Sequence, residues 1–522
     1  MKLPLIPNAI DRLVPKSIEN FGAIAPFSGA YARLDGHFTW TPKVKEIKVP
    51  AISQNKITDS LKNAIIKSGL SDGMTISFHH HFRNGDRLLP QVLSIIDELG
   101  IKGLTLAPSS LTDAHECVAN AIRKGTITRL YTSGVRGEVG RAISAGEIEI
   151  PVIIHSHVGR ARAIEEGSIS IDVAFLGAPL CDASGNMTGA MGKSACGTLG
   201  YAQVDARHAR HVIAVTDDLT PYPLAPRISI PQYLVDQVVV VDTIGDPSKI
   251  ASGAARISRD PINLKIAEDA FTLIRASGLL VENCSFQVGA GGASLAVAKY
   301  VRDYFKETGI RGSFGIGGIS GYMADMLQEG LFRTLFDVQS FDAAVTKSIL
   351  ENPNHIEIDA SWYANPFNKG CIVNNLDVVV LAALDVDVDF NVDVLTGHDG
   401  VLRGASGGHC DTAAGAKLSI VTIPSMREGV ASIRDRVQTV VTPGETIDAI
   451  VTERGICINP RREDLIKRAK DARLPVKDIR QLKDEIERMT GIPDPVPFIE
   501  DEIVALVEYR DGTIIDCIRK VR

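Results

Sequence analysis

A chain of 522 residues, 45% of them hydrophobic, can bury a large core, and its length corresponds to roughly two to four domains. Its formal net charge of −7 is spread rather than massed in a tail, so there is no basic field for nucleic acid. The N-terminus breaks its apolar residues with prolines and charges, and no run of about 18 apolar residues occurs. The expectation is therefore a soluble, cytoplasmic protein without a membrane segment.

Residues 1–55 carry Pro, Lys and isolated aromatics (Phe38, Trp40) without periodicity, and read as an arm that packs on a domain or a neighbouring subunit. From Lys56 helices alternate with short apolar runs: strands at Thr75–His79, Gly103–Ala107, Ile127–Tyr131, Val152–His155, Val173–Leu176, Val212–Thr216 and Val238–Asp242, with helices from Leu88 and Ala114 between the first of them. Continuous apolar strands between helices predict a mostly parallel sheet covered on both faces. The polar run Asp246–Asp260 reads as a junction. Beyond it the scheme repeats, with strands at Val378–Leu381 and Leu418–Ile423 and a helix near Thr412. From Arg461 to Thr490 the chain is charged and helical, and Ile503–Arg522 reads as a hairpin around Arg510-Asp511-Gly512.

The repeat is explicit. Ser68–Gly103 and Ser277–Gly312 align without a gap at an offset of 209 (Ser277 less Ser68, Gly312 less Gly103), each opening Ser-Gly-Leu and closing Gly-Ile-(Lys/Arg)-Gly. DVAFLGA from Asp172 is echoed by DVVVLAA from Asp377. A period this long means a duplicated domain. The predicted fold is α/β: two tandem homologous halves with mostly parallel sheets, an N-terminal arm at 1–55, a first half at 56–255, and a second half at 256–522 that includes a charged helical tail.

In the aligned stretch, His80-His81-Phe82-Arg83 stands opposite Gly289-Ala290-Gly291-Gly292. Glycine lets a backbone approach a ligand, and a helix start turns free N–H groups toward it, so an anion or a developing oxyanion is favoured there. Three such clusters occur in the second half, GAGGAS from Gly289, GIGGISG from Gly315 and GASGGHCDTAAG from Gly404. Together they could surround an extended anionic ligand such as a pantetheine-linked thioester.

Other signals are weaker. The glycine clusters miss the dinucleotide fingerprint at Ser294 and Ser320, and Gly192-Lys193-Ser194 lacks the first glycine of a P-loop. Eight scattered cysteines without CxxC spacing predict reduced thiols rather than disulfides or a zinc cluster. His155-x-His157 could begin a metal site, but no completing ligands can be picked out. Cys410-Asp411 at a helix start allows a thiolate nucleophile, with a buried small residue as the plainer reading. Arg136 and Arg403 could clamp a carboxylate.

DGMTISFHHHFRNGD, DVAFLGAPLCDASGN, VGAGGAS and GASGGHCD together resemble the CoA-transferase superfamily, and the chain is similar end to end to its citrate lyase alpha-subunit family. The resemblance implies an enzyme that exchanges acyl groups on an acyl carrier protein: acetyl-carrier and citrate give citryl-carrier and acetate. A separate beta subunit then cleaves the citryl thioester. The gamma subunit, the carrier, bears a phosphoribosyl-dephospho-CoA arm for which free acetyl-CoA can substitute. No tightly bound cofactor or metal is implied, and a homo-oligomer within a complex of three subunit types is expected.

Many superfamily members form a thioester on a glutamate, and Gln339 in Phe336-Asp337-Val338-Gln339-Ser340 falls near that glutamate's place. The resemblance thus implies direct attack by citrate's carboxylate. The expected site comprises Gly291, Gly292, Gly407 and Gly408 as catalytic amides, His80, His81, Arg83 and Arg403 on the tricarboxylate, and Gly289, Gly291, Gly317, Gly318 and Gly404 along the carrier arm. A covalent CoA-transferase or acyl-CoA hydrolase is the nearest alternative, and a non-catalytic scaffold that binds a carrier protein is the alternative of another class.

Overall fold

The computed structural model describes residues 3–45, 55–250, 257–289 and 291–522. Ala290 and part of the predicted junction, 251–256, lie outside the described residues.

Two large sheets organise the chain. The first holds β1 (Ile57–Thr58), β2 (Thr75–Ser77), β3 (Leu104–Leu106), β4 (Ile127–Thr132), β5 (Val152–Ile154), β6 (Val173–Gly177), β7 (His211–Thr216) and β8 (Gln237–Val240). The second holds β9 (Ser285–Val288), β10 (Gly312–Ile319), β11 (Phe332–Ser340), β12 (His355–Glu357), β13 (Val378–Ala382), β14 (Leu418–Thr422), β15 (Ala449–Thr452) and β16 (Gly455–Ile458). Strand order runs 5-4-3-2-6-7-8-1 in the first and 12-11-10-9-13-14-15-16 in the second. The seven-strand cores correspond position by position, as duplication requires. Their ladders are parallel, and β15 and β16 form an antiparallel edge.

The duplicated chemistry is as close as the topology. Asp172 before β6 accepts the Thr75 amide at 2.9 Å, and Asp377 before β13 accepts the Ser285 amide at 2.8 Å. Asp236 and Asp448 likewise each accept an amide at 2.8 Å, from Val212 and Ser419. Each half also adds a three-stranded sheet of the same order, and the turns Asp182–Asn186 and Asp387–Asn391 are closed by the same aspartate-to-asparagine contacts. A carboxylate that caps a neighbouring strand favours one register, because a one-residue slip would break the pairing of both groups.

The ends of the chain fall differently from the expected boundaries. The helices Glu463–Asp471 and Ile479–Thr490 lie where the charged tail was predicted. The hairpin β17 (Phe498–Glu508) and β18 (Ile514–Val521), expected within the second half, instead extends the first sheet, with β17 parallel to β5. This covers an edge that would otherwise present unpaired backbone groups. The N-terminal arm lies on that hairpin: Phe27 and Ala25 exchange backbone hydrogen bonds with Ile514 at 2.9 and 2.8 Å, and the Asn8 amide reaches the Ile515 carbonyl at 2.7 Å. Its Ala30 amide also meets Glu445 of the second half at 2.6 Å.

Candidate active site

The loops after β2, β4 and β5 in the first half face the end of β11 and the 404–408 turn of the second. Beyond β2 the chain turns tightly over His80–Gly85. Arg83 there adopts φ 52° and ψ −132°, a conformation that costs a non-glycine residue about 1–3 kcal/mol and clusters at functional sites. It sends its guanidinium across the interface, where Nη2 donates to the Ser340 carbonyl at 2.7 Å and the group stacks 4.6 Å from the Phe341 ring centre.

Three rings meet behind Arg83. His80 lies 5.0 Å from both His157 and Tyr201, and His157 lies 4.8 Å from Tyr201. Hydrogen bonds orient the imidazoles. His80 Nδ1 meets Ser109 Oγ at 2.6 Å, and His157 Nδ1 meets Ser133 Oγ at 2.7 Å. The Ser133 hydroxyl donates to the Ser109 carbonyl, which can only accept. His157 Nδ1 therefore carries the proton that faces Ser133, leaving Nε2 as a bare acceptor 3.9 Å from where a Gly407 Cβ would stand.

Both rings are neutral. Burial, then His157 and Arg83, hold His80 well below the ordinary histidine range, and burial with Arg160 brings His157 down to about 3. Neither ring can serve as an imidazolium, since a positive charge here would be desolvated, and His157 turns a lone pair rather than an N–H toward the Gly407 turn.

The second half closes the site with amides and glycines. Gln339, at the end of β11, is buried, pairs with Gly318 of β10, and hydrogen-bonds His80. Gln287, on β9, donates through Nε2 to Tyr363 at 2.8 Å, while its buried Oε1 has no hydrogen-bond partner. Gly317 and Gly408 are the residues that make room. A Cβ on Gly317 would stand 2.9 Å from Gln287, and one on Gly408 would stand 3.0 Å from the Tyr363 hydroxyl. Gly407 takes φ 56°, the left-handed region, and its carbonyl accepts the His157 amide at 2.7 Å. Gly289 follows Gln287 by two residues, and Gly291 caps the helix Gly292–Thr308, with Gly291 and Gly292 exposed. Tyr363 and Gln287 thus link the turn at 407–408 to the strand that ends in the turn at 289–292.

His80, Arg83, Gln339, Gly317, Gly318, Gly407 and Gly408 come together, and Gly289, Gly291 and Gly292 connect to them only through Gln287 on the preceding strand. Three expected residues do not join them. His81 points back into the first half, against Phe82 and His79, and burial lowers it to about 3. Arg403 is exposed and ion-paired with Asp399 four residues earlier. Gly404 is buried where the second half packs against Val135 and Gly134 of the first, and its carbonyl accepts the Val135 amide at 3.1 Å. The Cys410 thiol is buried and pushed well up, so it is no nucleophile. His155 binds Glu508 at 2.8 Å.

Sequence reasoning passed over Tyr201, Tyr363 and Gln287. One signal was available for Tyr201. The helix Gly200–His208 occupies the place in the first half that His409–Gly415 holds in the second, so the residues opposite Gly-Gly-His were worth inspecting.

The family model for citrate lyase, alpha subunit (CitF) matches residues 54–521. The citrate lyase alpha chain of Klebsiella pneumoniae is 50% identical over 469 residues, 90% of this chain and 92% of that one. The crystal structure of an alpha subunit of citrate lyase from Streptococcus mutans, in complex with citrate, superposes with a TM-score of 0.94 at 48% identity, covering 99% of this chain and 100% of that one. A malonate decarboxylase alpha subunit from Acinetobacter baumannii shares the fold, with a TM-score of 0.61 at 14% identity over 84% of this chain and 90% of that one.

Proposed function

The chain belongs to the citrate lyase alpha-subunit family, and we propose that it transfers the acyl carrier from acetate to citrate without forming a covalent enzyme intermediate. Citrate is the ligand of the Streptococcus mutans relative and the acceptor in this reading. A citrate carboxylate attacks the carbonyl carbon of the acetyl thioester, and the carrier thiolate leaves to give a mixed acetyl-citryl anhydride. The thiolate then attacks the citryl carbonyl, forming citryl thioester and releasing acetate. No proton is gained or lost overall, and no general base near pH 7 is needed, because the attacking carboxylate is already ionised.

The observation that carries this reading is Gln339. It is buried between the halves against His80, where the superfamily resemblance puts a nucleophilic glutamate, and an amide cannot form that thioester. Arg83 supplies the charge for the substrate carboxylates. The Gly407–Gly408 turn and the helix start at Gly291 and Gly292 supply backbone donors for the oxyanions, each donor contributing about 3–4 kcal/mol. The carrier's phosphoribosyl-dephospho-CoA arm, or free acetyl-CoA, enters along Gly289 and Gly317–Gly318. The working assembly includes the beta lyase subunit and the gamma carrier, with further copies of this chain, in the cytoplasm. No helix among the described residues is long and apolar enough to cross a membrane.

Mixing the purified chain with acetyl-CoA and citrate should release acetate and form citryl-CoA. Folded protein that does neither overturns the proposal. Hydroxylamine or borohydride added after acetyl-CoA should leave residue 339 unmodified, whereas a covalent transferase or hydrolase would carry a trapped glutamate. Arg83→Ala should lower exchange by at least about tenfold, because the lost guanidinium is desolvated and directed. Arg403→Ala should leave it within about twofold, because an exposed ion pair contributes only ~0–1 kcal/mol.

A further inference from the structure

Asp411 joins three separate parts of the chain beneath the site. It lies in the first turn of the helix His409–Gly415 and is wholly buried. Its Oδ1 accepts the Ser156 hydroxyl of the other half at 2.9 Å. Ser156 is the N-cap of the helix His157–Glu166, and its oxygen accepts the Gly159 amide at 2.8 Å. The first residue of that helix is His157, whose own amide binds the Gly407 carbonyl. On the far side stands Arg510 from the turn of the C-terminal hairpin, its Nε 3.9 Å from Asp411 Oδ1. Arg510 in turn donates at 2.7 Å to the carbonyl of Ala364, the residue after Tyr363.

We infer that Asp411 is a positioning residue for the exchange reaction: by gripping the Ser156 cap across the interface, it holds His157 against the Gly407–Gly408 turn and, through Arg510, steadies the backbone beside Tyr363. This rests on the proposed function for its consequence and on geometry for its cause. A carboxylate of one half thus serves the N-terminus of a helix in the other, where the helix dipole favours negative charge.

The groups facing Asp411 are Arg510 of the hairpin, Arg162 of the Ser156-capped helix, Tyr201, Tyr363, Cys371, and Cys410 beside it. Burial raises its carboxyl to about 6 against the pull of Arg510 and Ser156, so it loses its charge within the range where the reaction can be assayed.

The test uses the full-length chain with Asp411→Ala, Asp411→Asn and Ser156→Ala. Exchange between acetyl-CoA and citrate is read beside hydrogen–deuterium exchange of residues 155–166, corrected for intrinsic rates. Asp411→Ala and Ser156→Ala should lower kcat about 10²-fold with the acetyl-CoA KM within about threefold, and should lose protection at 155–166. Asp411→Asn keeps an acceptor oxygen, so it should recover to within about tenfold of the native kcat and lack the native loss of activity near pH 6. Asp411→Ala or Ser156→Ala at native kcat overturns the inference, as does lost activity with protection at 155–166 unchanged. If Asp411→Ala does not fold, the other two variants decide. If the native chain makes no citryl-CoA, the proposed function falls, and the protection measurement still settles whether Asp411 holds the helix.

Discussion

Gly408→Val should abolish citryl-CoA formation while leaving the fold in place. The backbone at Gly408, with φ −96° and ψ 20°, tolerates a side chain, so the conflict is one of space. A Cβ there would stand 3.0 Å from the Tyr363 hydroxyl and 3.2 Å from its Cε1, and the two valine methyl groups reach further still. The ring must swing away, breaking the 2.8 Å bond to Gln287 and moving the amides of the 407–408 turn. Overpacking of this kind costs about 1–3 kcal/mol in stability. Misplacing one oxyanion donor costs about 10²–10³-fold in kcat. Acetate release measures the effect, and far-UV circular dichroism checks the fold. Activity within about tenfold of native would remove the 407–408 turn from the chemistry.

The largest expected loss of stability follows Arg160→Leu. Arg160 holds the fully buried Asp205 through two bonds of 2.8 and 2.7 Å and also reaches the Ala107 carbonyl at the end of β3 at 2.7 Å. His79 adds a contact with Asp205 at 3.0 Å. Leucine would leave the carboxylate buried without its main partner, a change that costs about 3–5 kcal/mol and should appear as a lower urea midpoint. The sign of the pH dependence is fixed as well. Burial would raise the Asp205 carboxyl, but Arg160 and His79 outweigh it, so its folded pKa lies below the unfolded value near 3.9. The pair's contribution is therefore complete above about pH 4 and is lost as pH falls through the folded pKa. In Arg160→Leu that acid-side loss should shrink, and a midpoint unchanged at pH 7 would contradict the argument.

The sheets were legible because parallel strands buried on both faces leave continuous apolar runs, as at Val173–Gly177 and Leu418–Thr422. The duplication was legible at Ser68 and Ser277 because both copies spend the same residues on the same turn. His80, Arg83 and Gly407–Gly408 could be found because histidine, arginine and glycine crowd at strand ends. Tyr201, Tyr363 and Gln287 could not be assembled, since each stands alone in its own stretch, and His157, visible only as half of a His-x-His pair, meets them through the docking of the halves. His81 was misplaced because neighbours in a tight turn face opposite ways, and Arg403 because its partner Asp399 sits one helical turn upstream within the same loop. The hairpin at the C-terminus was recognisable as a hairpin. Alternation within it carries no information about which sheet it will join.

That hairpin gives the molecule a particular order of construction. The strand pair 498–521 completes a sheet whose other members were synthesised hundreds of residues earlier, and Glu508 and Arg510 are the partners of His155 and Asp411. A nascent chain emerging from the ribosome can therefore pair most of its first half but cannot seal it until residues 498–521 have been made. Until then β5 remains an open template for a stray strand. A chain cut before residue 498 should be a sticky, poorly soluble product.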